Sequence, residues 1–158
     1  MPLYIIEHPT ALLNMKQKEQ ICKEITRIHC DITSGLPSFV NVVFHTTDDN
    51  VEFVNNKLRH KSRIIGNIRA DRSAEAREAL INQINEAWLT IVGERCHFIA
   101  LNEVKSENIA EDGIMLPASG KELEWLAKNM KTFEERAEKG EETSQDLLAD
   151  LKAMQSKT

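Results

Sequence analysis

Residues 63–69 read Arg63-Ile64-Ile65-Gly66-Asn67-Ile68-Arg69, RIIGNIR. This short, β-branched run with one internal glycine predicts a strand. Behind it Ser73 is placed to cap a helix, with Glu75 and Glu78 near the positive end of that helix. Leu80, Ile84, Ala87, Trp88 and Ile91 then fall on one helical face. HFIALNEV, His97 to Val104, predicts the next strand. The first half of the chain has the same order. LYIIE, Leu3 to Glu7, predicts a strand, and Asn14 with Gln17 forms a capping box for a helix from about Met15. Ile21, Ile25, Ile28 and Ile32 lie on one face of that helix, which SGLP, Ser34 to Pro37, ends. FVNVVFHT, Phe39 to Thr46, predicts the strand that follows. Between the halves, Thr47 to His60 is polar, with short apolar pieces around Phe53.

Strand–helix–strand twice over sets the expected fold class, α+β (α/β). A helix joining two strands makes them parallel through a right-handed crossover. Two such units pair into a four-stranded sheet with both helices on one face. The other face keeps apolar residues, which predicts burial against another subunit. The expected organisation is a domain over 1–118, with repeats at about 2–59 and 60–118, and a charged, partly helical extension over 119–158. In the extension, Trp125, Leu126, Met130 and Phe133 predict a short helix anchored on the core. LLADLKAM predicts one more amphipathic helix, and the polar stretch between them is expected to be partly mobile.

The chain has 158 residues and a net charge of −5. An acidic chain without a basic block argues against nucleic acid or an anionic membrane as the main partner, so a bound anion needs a local cation cluster. Cys22, Cys30 and Cys96 show no metal-ligand spacing and predict reduced thiols. Neighbours on a helix point about 100° apart, which argues against Cys30 and His29 as a nucleophile–base pair. No stretch has the length of a membrane span or the pattern of a signal peptide, so a cytoplasmic location is expected.

Pro2 stands at the head of the first strand, where its missing N–H costs nothing. It has a second possible use. Removal of Met1 would expose a secondary amine that no ordinary side chain supplies. Together Pro2, the two β-α-β units, ITRIHCDIT on the first helix and IRADRS before the second resemble the tautomerase superfamily. Within it the chain is similar to the cis-3-chloroacrylic acid dehalogenase group and its fungal oxalocrotonate tautomerase-like relatives, over about residues 2–125. The resemblance implies a catalytic Pro2, a trimer of fused repeats, and no cofactor or metal. It carries the family histidine onto His29, the R-x-x-R arginines onto Arg69 and Arg72, and a family glutamate onto Glu111, in NIAEDGIMLP. The dehalogenase tyrosine of the fourth strand falls on Leu101, which is expected at the substrate instead; the chain's single tyrosine is Tyr4.

Each of these residues has a plain structural reading beside the chemical one. To act as a base Pro2 must be uncharged, and an α-amino group has an ordinary pKa of about 7.7–8.0. Apolar walls and nearby arginines would lower it. Arg69 and Arg72 suit bidentate grip of a carboxylate at a helix amino end, or simple pairing with Asp71 and Glu75. His29 is either a satisfied core histidine or a catalytic one that holds a substrate carbonyl or carboxylate oxygen or helps position water. Glu111 is either a turn carboxylate or a group that activates water or orients Pro2. The expected function is keto–enol proton transfer on a small carboxylated substrate, a 2-keto or enol acid or an unsaturated acid. Hydration or dehalogenation of a cis-3-haloacrylate-like acid is the alternative. A catalytically silent member acting through protein contacts is a third.

Overall fold

The computed structural model describes residues 2–47, 52–118 and 121–156. Four strands form the main sheet: β1 (Leu3–His8), β2 (Asn41–Thr46), β5 (Arg63–Arg69) and β6 (Phe98–Val104), in the order β2-β1-β5-β6. β1 runs parallel to β2 and β5 parallel to β6, while the central pair β1–β5 is antiparallel. Each parallel pair is bridged by one helix, α1 (Met15–Thr33) or α2 (Ala74–Val92), and the two helices pack together on one face. This is the duplicated β-α-β arrangement that the sequence predicts.

Local chemistry sets the helix bounds. The Asn14 side chain accepts from the Gln17 N–H while the Gln17 side chain accepts from the Asn14 N–H, a complete capping box. Ser73 caps α2 through the Ala76 N–H. Ser34 and Gly93 end the two helices in the left-handed conformation. The core lies between sheet and helices, with Ile21, Ile25 and Ile28 from α1, Leu80, Ile84 and Trp88 from α2, and Tyr4, Ile6, Ile64 and Ile68 from the strands.

Gly66 sits in a row across the sheet, beside Tyr4 on β1 and Leu101 on β6. A Cβ at this position would lie 2.7 Å from the Tyr4 ring and 2.7 Å from Leu101 Cδ2. Glycine is required here because two large side chains already occupy the space. On the opposite face Val43, Ile5, Ile65 and Ala100 form an apolar row, flanked by Phe98, which is 49% exposed.

Three features differ from the sequence expectation. The second strand starts at Asn41 because Pro37–Phe39 forms a 3₁₀ turn. The polar linker contains a hairpin of β3 (Glu52–Val54) and β4 (Lys57–Arg59), turned by Asn55 and Asn56, both at positive φ. The extension holds two substantial helices, α3 (Glu122–Glu138) and α4 (Glu142–Gln155), packed on each other. Trp125 seats α3 by donating to the Met115 carbonyl at 2.7 Å and by meeting the rings of Phe39 and Phe133. The Asp150 carboxylate seats α4 by accepting from the Ser38 N–H at 2.8 Å. Between β6 and α3 a two-residue hairpin, β7 (Ala110–Glu111) and β8 (Ile114–Met115), turns through Asp112 and Gly113. No helix among the described residues is long and apolar enough to cross a membrane.

Candidate active site

Pro2 has the same parity as Tyr4 and Ile6, so the alternation of β1 turns it toward the helices, and it is buried. Its carbonyl accepts from the Asn41 N–H at 3.0 Å, which extends the β1–β2 ladder by one bond. Pro2, His29, Arg69 and Arg72 line one small cavity of about 60 Å³, together with Thr33, Gly35, Leu36 and Phe39. Four candidates from three separate elements thus converge. Met1 lies outside the described residues, so the expectation that it is removed concerns a part of the chain not described.

His29 comes from the last turns of α1 and is 4% exposed. Its Nδ1 lies 2.9 Å from the Tyr4 hydroxyl. Burial pulls the imidazole down to about 4, and the Arg72 and amino-terminal charges add to that. Burial pushes the Tyr4 phenol up, so it stays protonated. A phenol can donate or accept, but the buried Tyr4 hydroxyl has no other acceptor among the described residues, so donating to Nδ1 satisfies it and leaves the proton of the neutral imidazole on Nε2. The Nε2 edge faces Gly35, where an added Cβ would lie 4.0 Å from it. His29 therefore offers a donor to the cavity, held in one tautomer by Tyr4. The sequence reading missed this contribution of Tyr4; its one signal was the parity it shares with Pro2.

The two arginines are held differently. Arg69 donates from Nε to Ser106 at 3.1 Å, from Nη1 to Glu122 at 2.9 Å and from Nη2 to the Pro117 carbonyl at 3.2 Å. Its ion-pair partner is thus Glu122 of α3, and not Asp71 or Glu75. Among the described residues the Arg72 guanidinium makes a single long contact, 3.5 Å, to the Thr33 carbonyl at the negative end of α1. Burial, then repulsion from Arg69, pulls Arg72 below the ordinary arginine value, with Glu122 opposing. Asp71 at φ 72° makes the turn between the two arginines, a conformation that aspartate tolerates. Arg72 is the guanidinium with spare donors.

Glu111 and Leu101 lie apart from this group. Glu111 lines a separate small cavity with Phe133 and Ser144, and Phe39 borders both cavities. Its Oε2 is buried and has no hydrogen-bond partner among the described residues. Burial raises its carboxyl to about 7, the positive amino terminus opposing and Asp112 adding. Leu101 packs in the core row beside Gly66 and is not among the residues lining the Pro2 cavity. The cysteines are free, and burial pushes the Cys30 and Cys96 thiols up, which suits inert packing more than nucleophilic use.

A larger chamber of about 460 Å³ shares Thr33, Gly35, Leu36, Phe39, Arg69 and Arg72 with the Pro2 cavity. Its outer walls come from the extension, including Glu122, Trp125, Leu126, Leu151 and Met154. The tail, which the sequence offers no chemistry for, encloses the candidate site.

Two fused β-α-β units with a proline at the inner end of the first strand define a tautomerase-fold protein. The chain belongs to the family described as "Putative oxalocrotonate tautomerase enzyme", whose model matches residues 1–130, and within the tautomerase superfamily it falls in the cis-3-chloroacrylic acid dehalogenase-like group. Among solved structures it is similar to N1, a member of the cis-3-chloroacrylic acid dehalogenase family, at 25% identity and a TM-score of 0.77, covering 85% of this chain and 96% of that one. Native Ps01740 is similar in fold at 23% identity and a TM-score of 0.66, over 69% of this chain and 99% of that one. A fused 4-OT, described as a wild-type asymmetric trimer, is similar in fold at 14% identity and a TM-score of 0.64, over 72% of this chain and 94% of that one. Comparison with curated proteins gives no match.

Proposed function

We propose that this chain is a cofactor-independent tautomerase whose catalytic base is the secondary amine of Pro2, freed by removal of Met1. The observation that carries the reading is the convergence of Pro2, His29, Arg69 and Arg72 on one cavity. Burial beside two guanidinium groups disfavours the protonated amine, so Pro2 is largely neutral near pH 7. Neutral Pro2 takes the proton from the enol oxygen or the α-carbon of a 2-keto or enol acid and returns it at the other position. Arg72 grips the carboxylate, and Arg69 adds charge from within its own network. The Nε2–H of His29 donates to the substrate oxygen on which negative charge develops. Leu101 acts indirectly, from its place across Gly66 from the Tyr4 ring that holds His29. Glu111, across Phe39, serves to orient the amino-terminal segment. The apolar outer face of the sheet is buried in a homotrimer.

The test is ketonisation of phenylenolpyruvate by protein whose intact mass shows that it starts at Pro2. Pro2→Ala is expected to lower kcat/KM by at least about 100-fold. Full activity of Pro2→Ala would falsify the mechanism. The likeness to N1 favours a second reading, hydration of unsaturated acids with Pro2 as the acid and Glu111 activating water. Halide release from cis-3-chloroacrylate separates the two, and the separation of Glu111 from the Pro2 cavity favours proton transfer.

A further inference from the structure

The chamber beyond the arginines has a composition that selects among carboxylic acids. At its junction with the Pro2 cavity lie Arg69 and Arg72, and among the described residues these are the only cations in its lining. The only anion is Glu122, already paired with Arg69. Away from the junction the wall is apolar, with Leu116, Leu126, Trp125, Leu151 and Met154. A volume of about 460 Å³ lies within the range of small-molecule sites. It greatly exceeds what a carboxylate and its reacting carbons fill.

From this we infer that the substrate is a monocarboxylic keto or enol acid with a sizeable aryl or alkyl tail, seated under the α3–α4 hairpin, and not a dicarboxylate. The inference rests on the Pro2–arginine reading of the site and adds the substrate class. One carboxylate at Arg72 puts the reacting carbons at Pro2 and leaves the remainder of the molecule to extend along the leucines. A second carboxylate carried on that remainder would be stripped of water with no cation to meet it, and would face Glu122. Oxalocrotonate, the diacid in the family's description, is such a molecule. An apolar tail gains by burial what the second charge would lose. The extension thereby sets specificity, whereas the two β-α-β units supply the reacting groups.

Equilibrium binding of unreactive acids to the full-length protein, followed by Trp125 fluorescence and calorimetry, tests this. The probes are 4-phenylbutanoate, adipate and propanoate. 4-Phenylbutanoate is expected to bind at least tenfold more tightly than adipate, with both weakened by Arg72→Ala. Leu126→Ala is expected to weaken 4-phenylbutanoate several-fold more than propanoate. Met154→Arg, at a position already 55% exposed, supplies a cation at the chamber wall and is expected to narrow the gap between adipate and 4-phenylbutanoate. Adipate binding as tightly as 4-phenylbutanoate, still dependent on Arg72, overturns the substrate class alone. Binding that is indifferent to Arg72→Ala overturns the site reading beneath it and this inference with it.

Discussion

Tyr4 and His29 are 25 positions apart, yet their contact fixes the proton arrangement of the cavity. Replacing Tyr4 with Phe leaves Nδ1 without its donor and lets the other tautomer compete. Tyr4→Phe is expected to lower kcat by about tenfold with little change in KM, and to cost about 1 kcal/mol in stability. Steady-state kinetics and urea denaturation measure both, and imidazole nitrogen NMR reads the tautomer directly. His29 and Glu111 should also shape stability against pH, with opposite signs. His29 falls from 6.5 to about 4 on folding, so the unfolded chain binds more protons between those values and stability declines as pH drops through that window. Glu111 rises from 4.5 to about 7, so the folded chain binds more protons there and stability declines as pH climbs from 4.5 to 7. Between pH 4.5 and 6.5 the two slopes oppose each other, so in melting curves from pH 4 to 8 His29→Asn is expected to unmask a decline as pH climbs from 4.5 to 7, and Glu111→Gln a decline as pH drops from 6.5 to 4. An unchanged profile in both variants contradicts these environments. His29 could be picked out only through a family motif, and its tyrosine partner only through the strand parity it shares with Pro2, because strand and helix meet through packing that no local pattern encodes.

The helices and main strands were legible because their signals are local: capping boxes, isoleucine spacing and β-branched runs. The Asn55–Asn56 turn is not legible in the sequence because its strands are only three residues long and carry no periodic pattern. What joins that hairpin to the sheet is long-range, through Arg63, which pairs with both Glu52 and Glu7. The α3–α4 hairpin could be read as helical, but its place over the arginines depends on Trp125, Asp150 and Glu122 meeting distant partners. Two predictions belong to these elements. Glu122→Gln removes the negative charge beside Arg69 and is expected to tighten carboxylate binding about three- to tenfold, with a small effect on stability because Glu122 is half-exposed. Calorimetric titration with 4-phenylbutanoate measures it, and weaker binding would mean that Glu122 chiefly holds Arg69 in place. Gly66→Ala drives a methyl group into Tyr4 and Leu101 and is expected to destabilise the fold by about 1–3 kcal/mol. Because Tyr4 must then move, activity is expected to fall with it.

At the size of the whole chain, the sheet has one face buried under two helices and another that carries Val43, Ile5, Ile65 and Ala100 in a row. Alternation along the strands made this second face visible in sequence, and its apolar character asks for a partner. Light scattering is expected to give three times the 18.0 kDa chain mass, and Ile65→Lys to shift it toward one. A monomeric native protein contradicts the proposed assembly. The acidic chain then concentrates its useful positive charge at one place, Arg69 and Arg72, beside the buried amino-terminal strand. That charge is what should keep the Pro2 nitrogen unprotonated. The most direct test is a nitrogen-15 NMR titration of protein labelled at proline. The account predicts a secondary amine titrating well below the ordinary 7.7–8.0 of an α-amino group, moving upward in Arg72→Ala. A Pro2 nitrogen that is an amide, or that titrates at or above 8, contradicts it.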